Sequence, residues 1–542
     1  MALPLNKMIR LDLSSVPLPA GAGPLLLAHP IVRAVGGAVQ LQERNEIHYD
    51  TPTLQLYRHH VLLTLNRRGE QWVQRCGMED GPEQDKKWVE SPVPDQQLDL
   101  KMIRKIPNCP VLNGNDTKNL APVFTFHCRE QKWSLSFPGG GTIHLREERG
   151  YIKLGATRQP FHELVFEHQA GSMARWFQTV LAFAYTFFLN EKTGHGRNGS
   201  FEKSGPGLLS TNPVTRGFAW LDPTLLMPTV AAVAAEGKEG TSGEGAVGDA
   251  VFPKLQGEMT AHRAFEPLCG GLLQRMQAHQ STVLYGGKQA KLEGVRLLQQ
   301  KAGRLHTLIL LYQPLLPKEI YGDLEQESAW LLKELGLVQE CQTLLVATLE
   351  PLLEQFAGHP GLEELLLKTK NGLLLAVKRL EKCLTSFRYA RLILGLEQWI
   401  FSGQWEFLAD PLQQEGLEMP IARLVTDGLQ QDHGQLRKRG RLWSEMDWAA
   451  RSGMRADVDR MVHSTELFVD LFVNNKRLKQ AGGRAAFQDN LLKLQSALHN
   501  LVHLQGSSRL LARGVSNKES GGVHPILEWQ ETRIHRYLLE AT

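Results

Sequence analysis

Residues 292–317, LEGVRLLQQKAGRLHTLILLYQPLLP, restrict the possible folds more than any other stretch. Leu292, Val295, Leu298, Ala302, Leu305, Leu308, Ile309 and Tyr312 recur at steps of three and four. That spacing makes one apolar face of a long helix. Arg296, Gln299, Gln300, Lys301, Arg304 and His306 fall on the other face. Pro314 and Pro317 end it, because proline lacks the amide donor and disfavours helix before it. Such a helix must lay its stripe against other helices, so a bundle is expected.

The same periodicity continues around it. Residues 265–279, 325–356, 361–382, 387–400, 420–441, 455–472, 487–504 and 523–539 are further candidate helices. Short links such as Gly358-His359-Pro360-Gly361 suit antiparallel neighbours. Residues 261–542 are therefore expected to form an all-α helical-bundle domain of two bundles, split near 410–420. Residues 231–257 are rich in Gly, Ala and Glu and poor in large apolar side chains. They read as the heart of a flexible linker over 226–260.

Residues 1–225 follow a different rule. Residues 61–66 and 71–75 alternate as strands around the turn Arg67-Arg68-Gly69-Glu70. Residues 133–137, 142–145, 151–154 and 164–166 repeat the pattern, and residues 173–189 read as a helix. Sequential hairpins predict an antiparallel sheet or barrel. The expected fold class is thus α+β, a β-barrel followed by an all-α helical bundle.

The totals exclude some functions. Charged residues make up 22% of the chain and the formal charge is +4. So mild an excess predicts no nucleic-acid and no membrane partner. Six cysteines show no metal-finger spacing, which suits reduced thiols. The first residues hold no signal-peptide run, and the apolar run at 177–189 is too short to span a bilayer. A cytoplasmic location is expected.

Three segments of the first half carry a resemblance. IHYDTPTLQLYRHHVLLTLNRRGEQWVQ (47–74), GYIKLGATRQPFHELVFEHQAG (150–171) and FEKSGPGLL (201–209) resemble, in order, segments of the CYTH, or triphosphate tunnel metalloenzyme, family. The resemblance implies a barrel whose Lys and Arg hold triphosphate and whose acidic side chains hold Mg²⁺ or Mn²⁺, the metal polarising the phosphoryl group and activating water. Arg129, Lys153 and Lys203 match the family's basic places, and Glu148, Glu163 and Glu167 match its acids. Those three glutamates are the metal set that an active enzyme would use.

Much of the pattern is replaced. The hallmark E-x-E-x-K strand holds Met8, Arg10 and Asp12 at its three key places. Thr64 and Asn66 stand at two arginine places, Gly77 near a lysine place, Val165 at an acid and Pro206 at the last arginine. No catalytic residue is assigned. His127, His144, His162 and His168 lack ligand spacing and read as ordinary strand residues.

The second half resembles the CHAD, or conserved-histidine α-helical, family. LYQPLLP (311–317), the Trp330–Gly336 stretch, SFRYARLILGLEQWIFSGQW (386–405), LRKRGRLW (436–443), MRADVDRMVHSTELF (454–468) and FQDNLLKLQSAL (487–498) stand in family order. The resemblance implies a channel that binds inorganic polyphosphate through basic side chains and histidines. Arg296, Arg304, Arg388, Arg391, Arg437, Lys438, Arg439, Arg455 and Arg460 are the candidate polyphosphate contacts, because guanidinium forks match phosphate oxygens. Here too places are lost: Arg296 replaces the first histidine, Gln299 and His306 replace arginines, and Ser452 replaces the second histidine.

The expected protein is a divergent, catalytically impaired CYTH–CHAD protein, a pseudoenzyme that binds or scaffolds a phosphate-related ligand. Polyphosphate, triphosphate and a protein partner are the candidate partners. An active metal-dependent inorganic triphosphatase and a polyphosphate-granule-associated protein are the alternatives.

Overall fold

A computed structural model describes residues 8–14, 16, 23–35, 39–78, 88–94, 97–103, 119–138, 140–192, 207–209, 211–222, 255–402, 408–469, 471, 483–515 and 525–541. Lys203, Pro206 and most of the expected linker lie outside these residues.

Nine antiparallel strands form one sheet: β1 Met8–Asp12, β2 Gln40–Asp50, β3 Val61–Arg68, β4 Gln71–Met78, β5 Val89–Val93, β6 Ala121–Ser136, β7 Thr142–Leu154, β8 Thr157–Ala170 and β9 Gly207–Leu209. Their order is β5-β4-β3-β2-β6-β7-β8-β1-β9. The expected hairpins of β3–β4 and β6–β7 are present, with Gly69 at φ +63° turning β3 into β4, whereas residues 142–145 and 151–154, expected as two strands, run through Gly150 as the single strand β7. The expected closed barrel is not: β5 and β9 remain sheet edges among the described residues. The helical half covers the β9 edge instead. The Gln280 amide donates to the Leu208 carbonyl at 2.6 Å and to the Leu384 carbonyl at 3.0 Å. A covered edge needs no strand to close it.

The helices are α1 Gly23–Ala28, α2 Pro30–Val35, α3 Gln55–Arg58, α4 Leu100–Ile103, α5 Met173–Lys192, α6 Pro213–Leu221, α7 Ala261–Tyr285, α8 Lys288–Leu311, α9 Lys318–Thr343, α10 Glu350–Gln355, α11 Pro360–Leu384, α12 Phe387–Ser402, α13 Pro411–Glu418, α14 Ile421–Gly440, α15 Trp448–Leu467, α16 Gly483–Val515 and α17 Pro525–Ala541. A π-helical turn, Leu344–Leu349, joins α9 to α10. Pro351 follows it, and its missing amide shifts the hydrogen-bond frame there. The face read from the sequence in α8 is buried: Val295, Leu298, Ala302, Leu305, Leu308 and Ile309 have no more than 2% exposure. Beyond α8 the Tyr312 hydroxyl donates to the Ala261 carbonyl at 2.8 Å.

One apolar cluster runs through both halves. Ile9, Leu11, Trp133, Leu145, Leu164 and Phe166 on one sheet face pack with Trp176, Phe183 and Phe187 of α5. Phe177 then stacks on Phe401 at 5.5 Å and Phe188 on Phe387 at 4.6 Å, carrying the cluster into α12. A separate cluster, including Val458, Met461, Leu498 and Leu501, holds α15 against α16.

Gly207 marks how closely the halves meet: a Cβ there would lie 2.3 Å from the Thr385 carbonyl oxygen. Gly207→Ala is expected to destabilise the protein by about 1–3 kcal/mol through overpacking. Equilibrium urea unfolding with an unchanged midpoint would contradict this contact.

Candidate functional site

Strand alternation puts Met8, Arg10 and Asp12 of β1 on one sheet face. Glu163, Val165 and Glu167 of β8 and His144, Arg146 and Glu148 of β7 share that face, with Glu148 directly opposite Glu163. Two carboxylates so placed repel. Guanidiniums sit between them. Arg10 Nη1 donates to Glu148 Oε2 at 2.9 Å and to Glu163 Oε2 at 3.0 Å. Arg216 of α6 pairs with the other oxygen of Glu163. Arg146 lies 3.6 Å from Glu148 and 3.8 Å from Glu167. Burial opposes the charge on Glu148, but Arg10 and Arg146 outweigh it and hold its carboxyl below the usual range. Farther along the face, burial likewise opposes the Glu46 charge, yet His48 and Arg44 beside it bring its pKa down to about 2.

These residues do not fit Mg²⁺ or Mn²⁺. Such ions need open carboxylate oxygens, and here guanidiniums take them. The three glutamates named from the sequence do come together. Arg129 and Lys153 do not join them: each alternates with a buried neighbour, Cys128 and Ile152, and lies exposed on the opposite face. Nor do the four histidines gather. His162 meets Glu147 at 2.7 Å, His127 meets Asn45 at 2.7 Å, and His168 meets the Gly171 carbonyl at 3.0 Å. Asp50 of the Tyr-Asp-Thr-Pro segment is structural, accepting from the Thr51, Leu56 and Tyr57 amides at 2.7, 2.9 and 2.9 Å. Sequence reading missed Arg146 and Arg216. Arg146 sits two residues before Glu148, a legible strand signal; Arg216 comes from a helix after the strands and carried none.

The helical half holds a second polar region, between α8, α15 and α16. Arg455, Asp459 and His463 repeat at four-residue steps on α15 and share a face. His463 lies against the α8 backbone, where a Cβ on Gly303 would come within 2.4 Å of its Cε1. Arg304 Nε and Nη2 donate to Glu466 Oε2 at 3.1 and 2.9 Å, and Lys301 is 1% exposed. From α16, Gln495 donates to Asp459 at 2.8 Å, and His503 Nε2 meets Thr348 Oγ1 at 3.2 Å. Burial, helped by Arg304, His306 and Lys301, lowers the His463 pKa to about 4. Burial, then His499 and Arg455, does the same for His503, to about 4. Burial also lowers His499 and His306. Arg455 Nε is buried with no hydrogen-bond partner. Lys301 and Arg304 are buried here, and Arg455 acts on Asp459 and His499, among imidazoles that stay neutral near pH 7.

Of the nine polyphosphate candidates, Arg304 and Arg455 lie in this seam. Arg296 is exposed and pairs with Glu293 on its own helix at 2.6 Å. Arg388 and Arg391 both bind Glu327, at 2.6 and 3.0 Å, and Arg388 lies 4.1 Å over the Trp330 ring. Arg439 pairs with Asp457, and Arg460 meets Asp432 at 2.9 Å and Asp457 at 3.1 Å. Arg437 and Lys438 are exposed at the end of α14. Lys301, His463, His499 and His503 were missed, although the four-residue step from His499 to His503 was a readable signal.

No helix among the described residues is long and apolar enough to cross a membrane. No curated protein matches the chain. Among solved structures, the CHAD domain from the plant Ricinus communis is 21% identical, the overlap covering 54% of this chain and 90% of that one at a TM-score of 0.39. PptA from Streptomyces chartreusis is 12% identical, with 50% and 97% covered and a TM-score of 0.31. A putative adenylyl cyclase from Hippeastrum with a dominant triphosphatase activity is 13% identical, with 36% and 90% covered and a TM-score of 0.21. The CHAD domain family model matches residues 268–505. The seam from Lys301 to His503 falls inside that span, and residues 268–505 of this chain are a CHAD domain.

Proposed function

We propose that this chain is a catalytically impaired CYTH–CHAD protein. In this reading residues 1–225 are a CYTH-like sheet domain kept as a scaffold, and residues 261–542 bind inorganic polyphosphate. The protein works in the cytoplasm. The observation that carries the reading is Arg10, whose guanidinium bridges Glu148 and Glu163 at 2.9 and 3.0 Å. A cation fixed there repels Mg²⁺ and leaves no carboxylate pair to bind it. The ordered sheet and the three-segment resemblance support a fold that outlived its chemistry.

The helical seam supports the binding half. Cations gathered in one buried seam repel one another, and an anion that joins them relieves that repulsion. A chain of phosphates supplies oxygens at regular spacing, and each fixed contact releases counterions. Lys301, Arg304 and Arg455 are the charged contacts, with His463, His499 and His503 as further donors.

Purified protein given tripolyphosphate with Mg²⁺ or Mn²⁺ is expected to release no phosphate above background. Metal-dependent turnover that Glu148→Gln abolishes would overturn the impaired reading. Titration with long-chain polyphosphate is expected to show binding that weakens steeply with added salt. Binding without salt dependence would remove the seam as its site.

A further inference from the structure

A cavity of about 670 Å³ lies where the sheet meets α7 and α11. Sites for small organic ligands run from about 300 to 1,000 Å³. The cavity adjoins the charged sheet face through Arg216, and the helical half supplies most of its wall. It is separate from the seam between α8, α15 and α16.

Its two sides differ in chemistry. Leu284 and Tyr285 of α7 make an apolar side, and Leu375 adds apolar lining on the same stripe of α11 as Lys378 and Lys382. Lys378 and Lys382, one turn apart on α11, make a basic side. Both lysines are exposed, and neither is in an ion pair among the described residues. Arg216 stands between the two sides. It is 7% exposed, its Nη1 donates to the Tyr285 hydroxyl at 3.3 Å, and its guanidinium lies 5.5 Å from the Tyr285 ring centre. Its Nε is buried without a hydrogen-bond partner. That atom is closed to the cavity, so Arg216 contributes its fixed charge there rather than a free donor.

Charge sets the ligand's size. The other lining ions are already matched: Arg379 binds Glu334 at 2.6 Å, and Glu381 binds Lys291. Lys378 and Lys382 then face Asp12 alone. The C-terminal ends of α7 and α11 add partial negative charge. The cavity is mildly basic, which fits one phosphate group and mismatches a long polyanion. The apolar side asks for a flat organic body.

We propose that this junction cavity binds a small organic phosphate monoester of the nucleoside-monophosphate class. The phosphate meets Lys378 and Lys382, and the flat body lies along Tyr285 and Leu375.

Isothermal titration of the full chain with adenosine 5′-monophosphate, adenosine and inorganic phosphate tests this. The monophosphate is expected to bind at least about tenfold tighter than either fragment, roughly the worth of one charge-assisted hydrogen bond. The double variant Lys378→Glu/Lys382→Glu is expected to lose about tenfold or more, and Lys378→Arg/Lys382→Arg to keep binding. Both positions are exposed, so the fold is expected to persist, as circular dichroism checks. No saturable binding of the monophosphate, equal binding of inorganic phosphate, or equal binding by the charge-reversed variant would each overturn the proposal. Arg455→Met, in the separate seam, is expected to leave monophosphate binding unchanged; parallel loss at both places would remove the cavity as the site.

Discussion

An Arg10→Met variant is expected to unfold with about 3–5 kcal/mol less stability at pH 7, the usual cost of stripping one partner from a buried ion pair. Glu148 and Glu163 face each other across β7 and β8, and Arg10 touches both. Without it, Arg146 at 3.6 Å and Arg216 are left to hold two buried carboxylates. The pH dependence has a definite sign. Glu148 has a depressed pKa in the folded protein, because the arginines outweigh burial. Its stabilising contribution is therefore full above the unfolded carboxylate pKa of about 4.3 and is lost as pH falls through the folded value. The difference between parent and variant is expected to shrink below about pH 4. Mg²⁺ or Mn²⁺ is expected to recover part of the loss in the variant, since carboxylate oxygens become open, and to leave the parent unmoved. Equal urea midpoints for parent and variant would show that Arg10 is not the counterion of this site.

Polyphosphate binding by an Arg455→Met variant is expected to weaken about 10- to 100-fold, the loss of one charge-assisted contact worth about 1.5–3 kcal/mol. Stability of the unliganded protein is expected to fall by less than the binding, because Asp459 beside Arg455 keeps its hydrogen bond from Gln495 at 2.8 Å. A loss of stability equal to the loss of binding would instead assign Arg455 a structural role. The histidines add a proton signature. His463 and His503 have pKa values of about 4, set first by burial and then by neighbouring cations and imidazoles. The unfolded chain, near 6.5, then binds more protons between those values, so unliganded stability falls as pH drops from about 6.5 towards 4. A polyanion beside these imidazoles raises their pKa. Binding is therefore expected to take up protons and to tighten from pH 7.5 to 6. Calorimetry in two buffers of different ionisation enthalpy reads that uptake directly, and an unchanged apparent enthalpy would remove His463 and His503 from the site.

Much of this architecture was legible beforehand. The period of α8 follows from Leu292 to Tyr312, and its end from two prolines. The hairpins of β3–β4 and β6–β7 follow from alternation and turn residues, while Gly150, which reads as a turn, lies inside β7. Glu148, Glu163 and Glu167 were readable as one set from the family resemblance; alternation puts Glu163 and Glu167 on one face of β8, and only the strand register sets Glu148 beside them. Arg129 and Lys153 failed for the same reason: their parity sends them outward, and family position alone did not show it.

The sequence by itself determined the elements, since periodicity, proline and glycine act within a few residues of themselves. It also told that Arg10 stands where an acid is expected, but not what Arg10 does there. Only the tertiary structure decided that Arg10 bridges residues 138 and 153 positions away. The same holds for Arg216 reaching Glu163 from α6, for α7 covering the β9 edge, and for α15 and α16 bringing Arg455, His463 and His503 into one buried seam. Such contacts depend on which faces pack together, and local residue patterns do not encode that.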